Sequence, residues 1–225
     1  MVRRIRELPR PKAVIFDLDG TLVDTVETRI RGWLDVFEEV GLPADRERLA
    51  PLIGVDGKRL AREVAALAGV VIDDERAEAI DKRAGEIYED LNTAPRPLLG
   101  VRALVEAIDA AGIPWSIATS SRKDQVATSV KALGLDREPT IVDASHVEHA
   151  KPEPDLLLRA AKELGVEPAA AWYVGDSTWD MVAAVAAAMI PIGVTAGAAV
   201  TREALEGAGA AVVVEDLTEI AAGLR

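Results

Sequence analysis

The sequence contains no cysteine, so it builds no disulfide framework, thiolate zinc site or iron–sulfur centre. Basic residues are in deficit: 26 Lys and Arg stand against 38 Asp and Glu, for a net charge of −12. That balance argues against a nucleic-acid surface and against docking on an anionic membrane. It does not exclude a small anionic substrate, because a few local cations and a metal ion reverse the field inside one cleft. Long apolar runs are missing too. The longest, Met181 to Val194, is interrupted by Pro191 and Gly193 and falls short of the ~18–20 residues a membrane helix needs. The basic opening MVRRIRELPRPK has no apolar run after it, so no secretory signal is expected. A soluble, cytoplasmic protein is expected from these absences. No internal repeat is visible.

What is present is an ordinary globular composition, 49% hydrophobic and 28% charged over 225 residues. Six short apolar runs read as buried parallel strands: 13–17, 115–119, 140–143, 171–174, 190–194 and 211–214. Helical stripes lie between them. Leu104, Ile108 and Ala111 share a face, as do Val126, Val130 and Leu133, and Leu157, Ala160 and Leu164. Pro154 is expected at a first helical position, and Asp216 as the cap of a last helix carrying Leu217, Ile220 and Leu224. The alternation predicts a doubly wound α/β sheet.

One interval breaks the rhythm. About 73 residues, Thr25 to Pro97, separate the first strand from the helix leading to the second, where ~2–6 residues would suffice. The interval carries helical stripes: Trp33, Phe37 and Val40; Leu60, Val64 and Leu67; Ala77, Ile80, Ala84, Ile87 and Leu91. The predicted organisation is a core of residues 1–24 and 98–225 with an all-helical insertion, 25–97, at the ligand-binding edge of the sheet, placed to act as a lid.

Polar clusters follow four of the strands. Asp17-Leu18-Asp19-Gly20-Thr21-Leu22 puts two carboxylates at a strand end. They are either solvated acids or a cation site, since two buried charges of one sign need a counter-ion and Mg²⁺ takes oxygen ligands. Gly20 allows a sharp turn, and Thr21 offers a hydroxyl and an amide to an anion. Thr119-Ser120-Ser121 is either a simple helix start or an anion site. Lys151 opens a proline-stiffened Lys-Pro-Glu-Pro-Asp loop. Gly175-Asp176-Ser177-Thr178-Trp179-Asp180 places two acids four residues apart. Each cluster alone has a bland structural reading. Their conjunction at successive strand ends points to one site.

In this order the four clusters resemble the motifs of the haloacid dehalogenase superfamily of phosphohydrolases. The position of the insertion resembles the subgroup that includes phosphoglycolate phosphatases, β-phosphoglucomutases and sugar-phosphate phosphatases. The resemblance covers nearly the whole chain. It implies a Mg²⁺-dependent phosphatase acting on a small phosphorylated metabolite, as a monomer or homodimer. It implies that Asp17 is the nucleophile and Asp19 the general acid and base. Thr119, Ser120 and the amides of Leu18 and Asp19 would bind the phosphoryl oxygens, and Lys151 would stabilise the transferring group. Asp17, the Asp19 carbonyl and Asp176 would hold Mg²⁺, with Asp180 behind them or bound through water. Asp19 excludes the dehalogenases themselves, in which this acid is absent: an alkoxide leaving group needs a proton and a halide does not.

Departures from the family pattern are informative. Gly175 stands where β-phosphoglucomutases usually carry Glu, and Arg29 where they tend to carry His; both disfavour the mutase alternative. Lys58 is the one conspicuous candidate for the Schiff-base lysine of phosphonoacetaldehyde hydrolases. Arg29, Lys58, Arg59 and Arg62 are insertion cations able to meet a second anionic group on a substrate, Lys58 and Arg59 foremost. Trp33 and Trp179 read as packing residues, with Trp179 able to border the cleft. Where relatives often read Lys/Arg-Ala-Gly, this chain has Val185-Ala186-Ala187-Ala188; Ala in place of that Gly requires a negative φ or costs stability. A phospho-accepting receiver domain and a non-catalytic scaffold are the remaining alternatives. The helical insertion and Asp19 count against the first, and the fully filled motifs against the second.

Overall fold

The computed structural model describes residues 4–224; Met1, Val2 and Arg3 of the basic opening segment and Arg225 lie outside the described residues. The strands are β1 (Ala13–Phe16), β2 (Trp115–Ala118), β3 (Thr140–Val142), β4 (Ala171–Gly175), β5 (Ile190–Val194) and β6 (Val212–Val214). The helices are α1 (Val26–Glu39), α2 (Arg46–Leu49), α3 (Gly57–Leu67), α4 (Asp74–Leu91), α5 (Val101–Ala110), α6 (Lys123–Ala132), α7 (Asp155–Leu164), α8 (Thr178–Ala186), α9 (Arg202–Gly207) and α10 (Leu217–Leu224).

The strands form one sheet in the order β3-β2-β1-β4-β5-β6, and each neighbouring pair is parallel. Successive side chains of a strand face opposite ways, and here both faces are covered. Val14 and Phe16 of β1 pack with Leu104 and Ile108 of α5 and Leu217 and Ile220 of α10. Ala13 and Ile15 pack with Leu156, Leu157 and Ala160 of α7 and Ala183 and Ala184 of α8. This two-sided burial is why the strand sequences are apolar throughout and do not alternate. Asp216 Oδ1 accepts from the Thr218 amide at 2.8 Å at the start of α10.

Helices α1 to α4 form an all-helical cap inserted after β1, with its own core of Ile30, Phe37, Leu49, Leu60, Val64 and Ile80 among others. The two segments joining cap and core run side by side. The Asp24 amide donates to the Arg96 carbonyl, the Leu98 amide donates to the Leu22 carbonyl, both at 2.9 Å, and Val23 pairs antiparallel with Pro97.

Two sequence expectations need correction, and two short helices are additional. Pro154 precedes the first turn of α7 and does not open it; the helix begins at Asp155. Leu67 and Leu91, read as the last members of inner stripes, are 60% and 42% exposed, because each is the final residue of its helix. Helices α2 and α9, of four and six residues, are too short to show a period and were not anticipated. Among the described residues, no helix is long and apolar enough to cross a membrane.

Candidate active site

The strand order reverses between β1 and β4, and ligands in such sheets bind outside the carboxyl ends of the strands at that point. Asp17 follows β1 there and Asp176 follows β4. Both are buried. Lys151, only 1% exposed, donates from Nζ to Asp17 Oδ1 at 2.6 Å and to Asp180 Oδ1 at 2.7 Å. A buried lysine with two carboxylates is a compensated charge, and its proton is held more tightly than usual: burial works against the charge, but Asp17 and Asp180 outweigh it. Asp17 behaves the opposite way. Burial pushes its carboxyl up to about 7, against the pull of Lys151.

Asp180 has both oxygens engaged. Oδ1 receives Lys151 and lies 2.9 Å from the Tyr173 hydroxyl. Oδ2 accepts from the Ser177 amide at 2.9 Å and its hydroxyl at 2.6 Å. Ser177 is the N-cap of α8 and accepts in return from the Asp180 amide. A capping box at the start of α8 thus doubles as the support for Lys151. Asp176 accepts from the Thr21 hydroxyl at 2.9 Å through Oδ1, and burial raises its carboxyl well above the ordinary range. Its Oδ2 fills the space that a Cβ on Gly20 would need, 2.3 Å away.

One oxygen from each of Asp17, Asp176 and Asp180 lies within 4.8 Å of the others. All three residues are buried. The donor set is entirely oxygen, as hard divalent cations require. Burial, with the neighbouring Asp180 charge, gives Asp17 and Asp176 a high proton affinity, and a divalent cation would supply the missing positive charge. The cluster fits a divalent metal, with the free oxygens of Asp17 and Asp176 as its ligands and Asp180 behind them, occupied by Lys151 and Ser177.

The Asp19 carboxylate is outside this cluster. Oδ1 accepts from Thr25 at 2.7 Å and Tyr88 at 2.9 Å. Oδ2 accepts from Ser121 at 2.7 Å and Arg29 at 2.9 Å. Burial tends to raise this carboxyl, but the Arg29 charge and the bonds from Thr25 and Ser121 outweigh it and hold it below the ordinary carboxylate value. Arg29 stacks over the Tyr88 ring at 3.4 Å and also donates to Gln125 Oε1 at 3.0 Å. Tyr88 is fixed by Asn92, which donates to its oxygen at 2.9 Å and to Ser129 at 3.0 Å. Cap residues from α1 and α4 therefore hold the second acid.

Asp17, Asp19, Lys151 and Asp176 open into a cavity of about 60 Å³, walled on the cap side by Arg29, Trp33, Ile53, Gly54, Leu60 and Asp81. Thr119, Ser120 and Ser121 line the core side with Gln125. Whole small-molecule sites usually measure ~300–1,000 Å³, so the cap sits closed. The loop before α3 is seated on the core: the Ser120 hydroxyl donates to the Gly54 carbonyl at 3.2 Å, the Asp56 amide to the Lys151 carbonyl at 2.9 Å, and Trp179 Nε1 to the Pro51 carbonyl at 2.8 Å.

The other sequence candidates fall in three groups. Thr119 is buried, with its hydroxyl accepting from the Ser121 amide. The amides of Leu18 and Asp19 find no acceptor among the described residues. Thr21 is turned away from the cavity, its hydroxyl committed to Asp176, and the Ser120 hydroxyl is committed to the cap loop, leaving its backbone. Lys58 and Arg59 stay outside the cavity. Lys58 lies 3.8 Å from Glu78, and Arg59 stacks 5.1 Å over Trp179 beside Glu63. Tyr88, Asp81 and Gln125 were not singled out from the sequence. For Asp81 and Tyr88 the signal is a polar stripe along α4 that runs on to Asn92 at its C-cap, at spacings of seven and four; Gln125, on α6, has no such signal.

A parallel sheet with acids at its switch point, a buried lysine between them and a helical cap above defines a class of hydrolase. The chain belongs to the haloacid dehalogenase-like hydrolase family, whose model matches residues 14–194. It is similar to the N-acetylmuramic acid 6-phosphate phosphatase of Pseudomonas aeruginosa, at 30% identity over 175 residues and 76% of each chain. It is similar to hexitol phosphatase A of Escherichia coli K12, at 34% identity over 193 residues, 86% of this chain and 87% of that one. Among solved structures, a hydrolase from Pseudomonas syringae matches with a TM-score of 0.88 at 34% identity, over 92% of this chain and 95% of that one.

Proposed function

We propose that this phosphoric monoester hydrolase takes the phosphoryl group from a small metabolite, a sugar phosphate or a phosphoglycolate-like ester, through a covalent phosphate on Asp17, with Mg²⁺ as its cation. The observation that carries the reading is the setting of Asp17: a buried carboxylate with one oxygen on Lys151 and the other free, sharing a cavity with a second acid, Asp19. In the first half-reaction the free Asp17 oxygen attacks phosphorus as the ester P–O bond breaks, and protonated Asp19 gives its proton to the departing oxygen. In the second, Asp19 takes a proton from water as that water displaces Asp17. The four donors around Asp19 favour its ionised form, the form the second step needs; for the first step Asp19 takes up its proton only as Arg29 releases it when the cap opens for substrate. Lys151, the Thr119 hydroxyl and the amides of Leu18, Asp19 and Ser120 hold the phosphoryl oxygens. Mg²⁺, held by Asp17, Asp176 and the Asp19 carbonyl, would offset the negative charge shared by Asp17 and the phosphoryl group.

The domain division at 24/25 and 97/98 belongs to this reading: the paired connectors lie at that boundary, and the small cavity requires the cap to open for substrate. The phosphatase reading is favoured over the mutase at one position. A Cβ on Gly175 would lie 2.4 Å from Asp180 Cγ, so the Glu usual in mutases does not fit beside Asp180 as it stands.

The test is phosphate release from a panel of small esters with Mg²⁺ and with chelator. Wild type releases phosphate with Mg²⁺ alone, and Asp17→Asn reduces release at least ~1,000-fold. Isomerisation of a hexose phosphate without net release would establish the mutase, and release by Asp17→Asn would remove the covalent route.

A further inference from the structure

The leaving-group side of the cavity has a charge inventory that separates the two substrate classes. Asp81 of α4 lines this cavity together with Gly57 at the start of α3. Its Oδ1 occupies the space a Cβ on Gly57 would fill, 1.8 Å from that position. Asp81 Oδ2 accepts from Arg122 at 2.6 Å; among the described residues nothing donates to Oδ1. The Asp81 carboxylate is thus part of the cavity wall on the cap side, with Oδ1 against Gly57 and without a donor of its own.

Among the described residues, the two cations that line this cavity, Lys151 and Arg29, are both occupied, Lys151 by Asp17 and Asp180. Arg29, the cavity's cap-side cation, is bonded to Asp19, Ser121 and Gln125. Arg122 is shared between Asp81 and Glu78, each at 2.6 Å. Lys58 and Arg59 lie outside with Glu78 and Glu63, and Arg62 is bonded to Asp74 at 2.5 Å. A carboxylate on the leaving group would meet Asp81 and Asp19 while both cations lining the cavity are engaged elsewhere, and like charges in a space of low dielectric repel strongly. A hydroxyl would donate to the Asp81 carboxylate.

We propose that Asp81 is a specificity-determining residue that selects leaving groups bearing hydroxyls and no charge, and rejects those bearing a carboxylate. The inference rests on the phosphatase reading and narrows it to sugar or polyol phosphates over phosphoglycolate-like esters. A site built to accept a hydrogen bond discriminates more strongly than an apolar pocket does, and opposing charge adds active rejection.

The experiment compares kcat/KM for a hexitol 6-phosphate and for phosphoglycolate, with Mg²⁺. Wild type is expected to prefer the polyol ester at least 100-fold. Asp81→Asn should cut that preference at least tenfold, slowing the polyol ester and speeding phosphoglycolate. Arg122→Gln is the control: it breaks the same cap-to-core contact but keeps the Asp81 charge, so the preference should persist. A preference unchanged in Asp81→Asn, or lost equally in Arg122→Gln, would overturn the assignment. Binding is measured in parallel by calorimetry of both esters with Asp17→Asn, with and without Asp81→Asn. If wild type releases phosphate from neither ester, the phosphatase reading fails, and the binding preference still decides the role of Asp81. Tighter polyol binding that needs Asp81 supports it; equal binding by both variants sinks it.

Discussion

Ala188 adopts φ 57°, the left-handed region, and is the one non-glycine residue to do so among the described residues. It sits just past the end of α8. Its amide donates to the Val185 carbonyl and the Met189 amide to the Ala184 carbonyl, the paired bonds of a Schellman turn, which favours glycine. Alanine there costs ~1–2 kcal/mol, and glycine gives back part of the difference through the unfolded chain. Ala188→Gly should therefore raise stability by about 1 kcal/mol, or ~2–4 °C in a thermal melt; a lower melting temperature would show that the turn is not strained. The Ala-for-Gly departure was legible in the sequence, but its cost was not, because φ depends on how the helix ends. The same limit applied at the site. Asp17, Lys151 and Asp176 were legible because each stands at the end of a strand or in the loop that follows one. Lys58 and Arg59 stood out as cations, yet Glu78 and Glu63 pair with them, and sequence alone does not show which acid a cation meets.

Two of the cap elements that meet the core each depend on a missing side chain. The loop before α3 carries Gly54 at φ 96°, where a Cβ would lie 2.6 Å from Ser177 Oγ and 3.0 Å from its Cβ. Helix α4 carries Gly85, where a Cβ would lie 2.0 Å from Gln125 Nε2. Gln125 sits at the end of a flexible chain and can give way; Ser177 is fixed by its capping role. Gly54→Ala should hence hold the cap off the core and lower kcat/KM at least tenfold, toward the ~100-fold that a 1 Å misplacement costs. The fold should survive, as a melting curve will show. An unchanged kcat/KM would mean that chemistry does not need the seated loop. The helices of the cap were legible from their apolar stripes, since those stripes build its core. The polar stripe of Asp81, Tyr88 and Asn92 was not, because only docking on the core gives that face a purpose.

For the whole molecule, the buried acids tie stability to cation and pH together. The folded protein keeps the Asp17 proton up to about pH 7, above its ordinary value. In metal-free protein the stability this group contributes is full below that ordinary value and is lost as pH rises through 7. A cation binds the ionised form, so its benefit grows over the same interval. Mg²⁺ at 100 times its Kd stabilises by about 2.7 kcal/mol. The Mg²⁺-induced rise in melting temperature should be larger at pH 8 than at pH 5.5, and a rise independent of pH would separate the cation from these acids. The two connectors have a consequence of another kind. Joining two distant points of a chain costs entropy that grows with the loop between them. Because Val23 and Pro97 pair directly, a folded cap presents its two ends already together, and the core sees about 73 residues as little more than a tight turn. The core can then close its sheet whatever the cap's sequence is. Hydrogen exchange should report two separate protection units, the cap opening without the sheet, and the cap can change its substrate wall without renegotiating the fold beneath it.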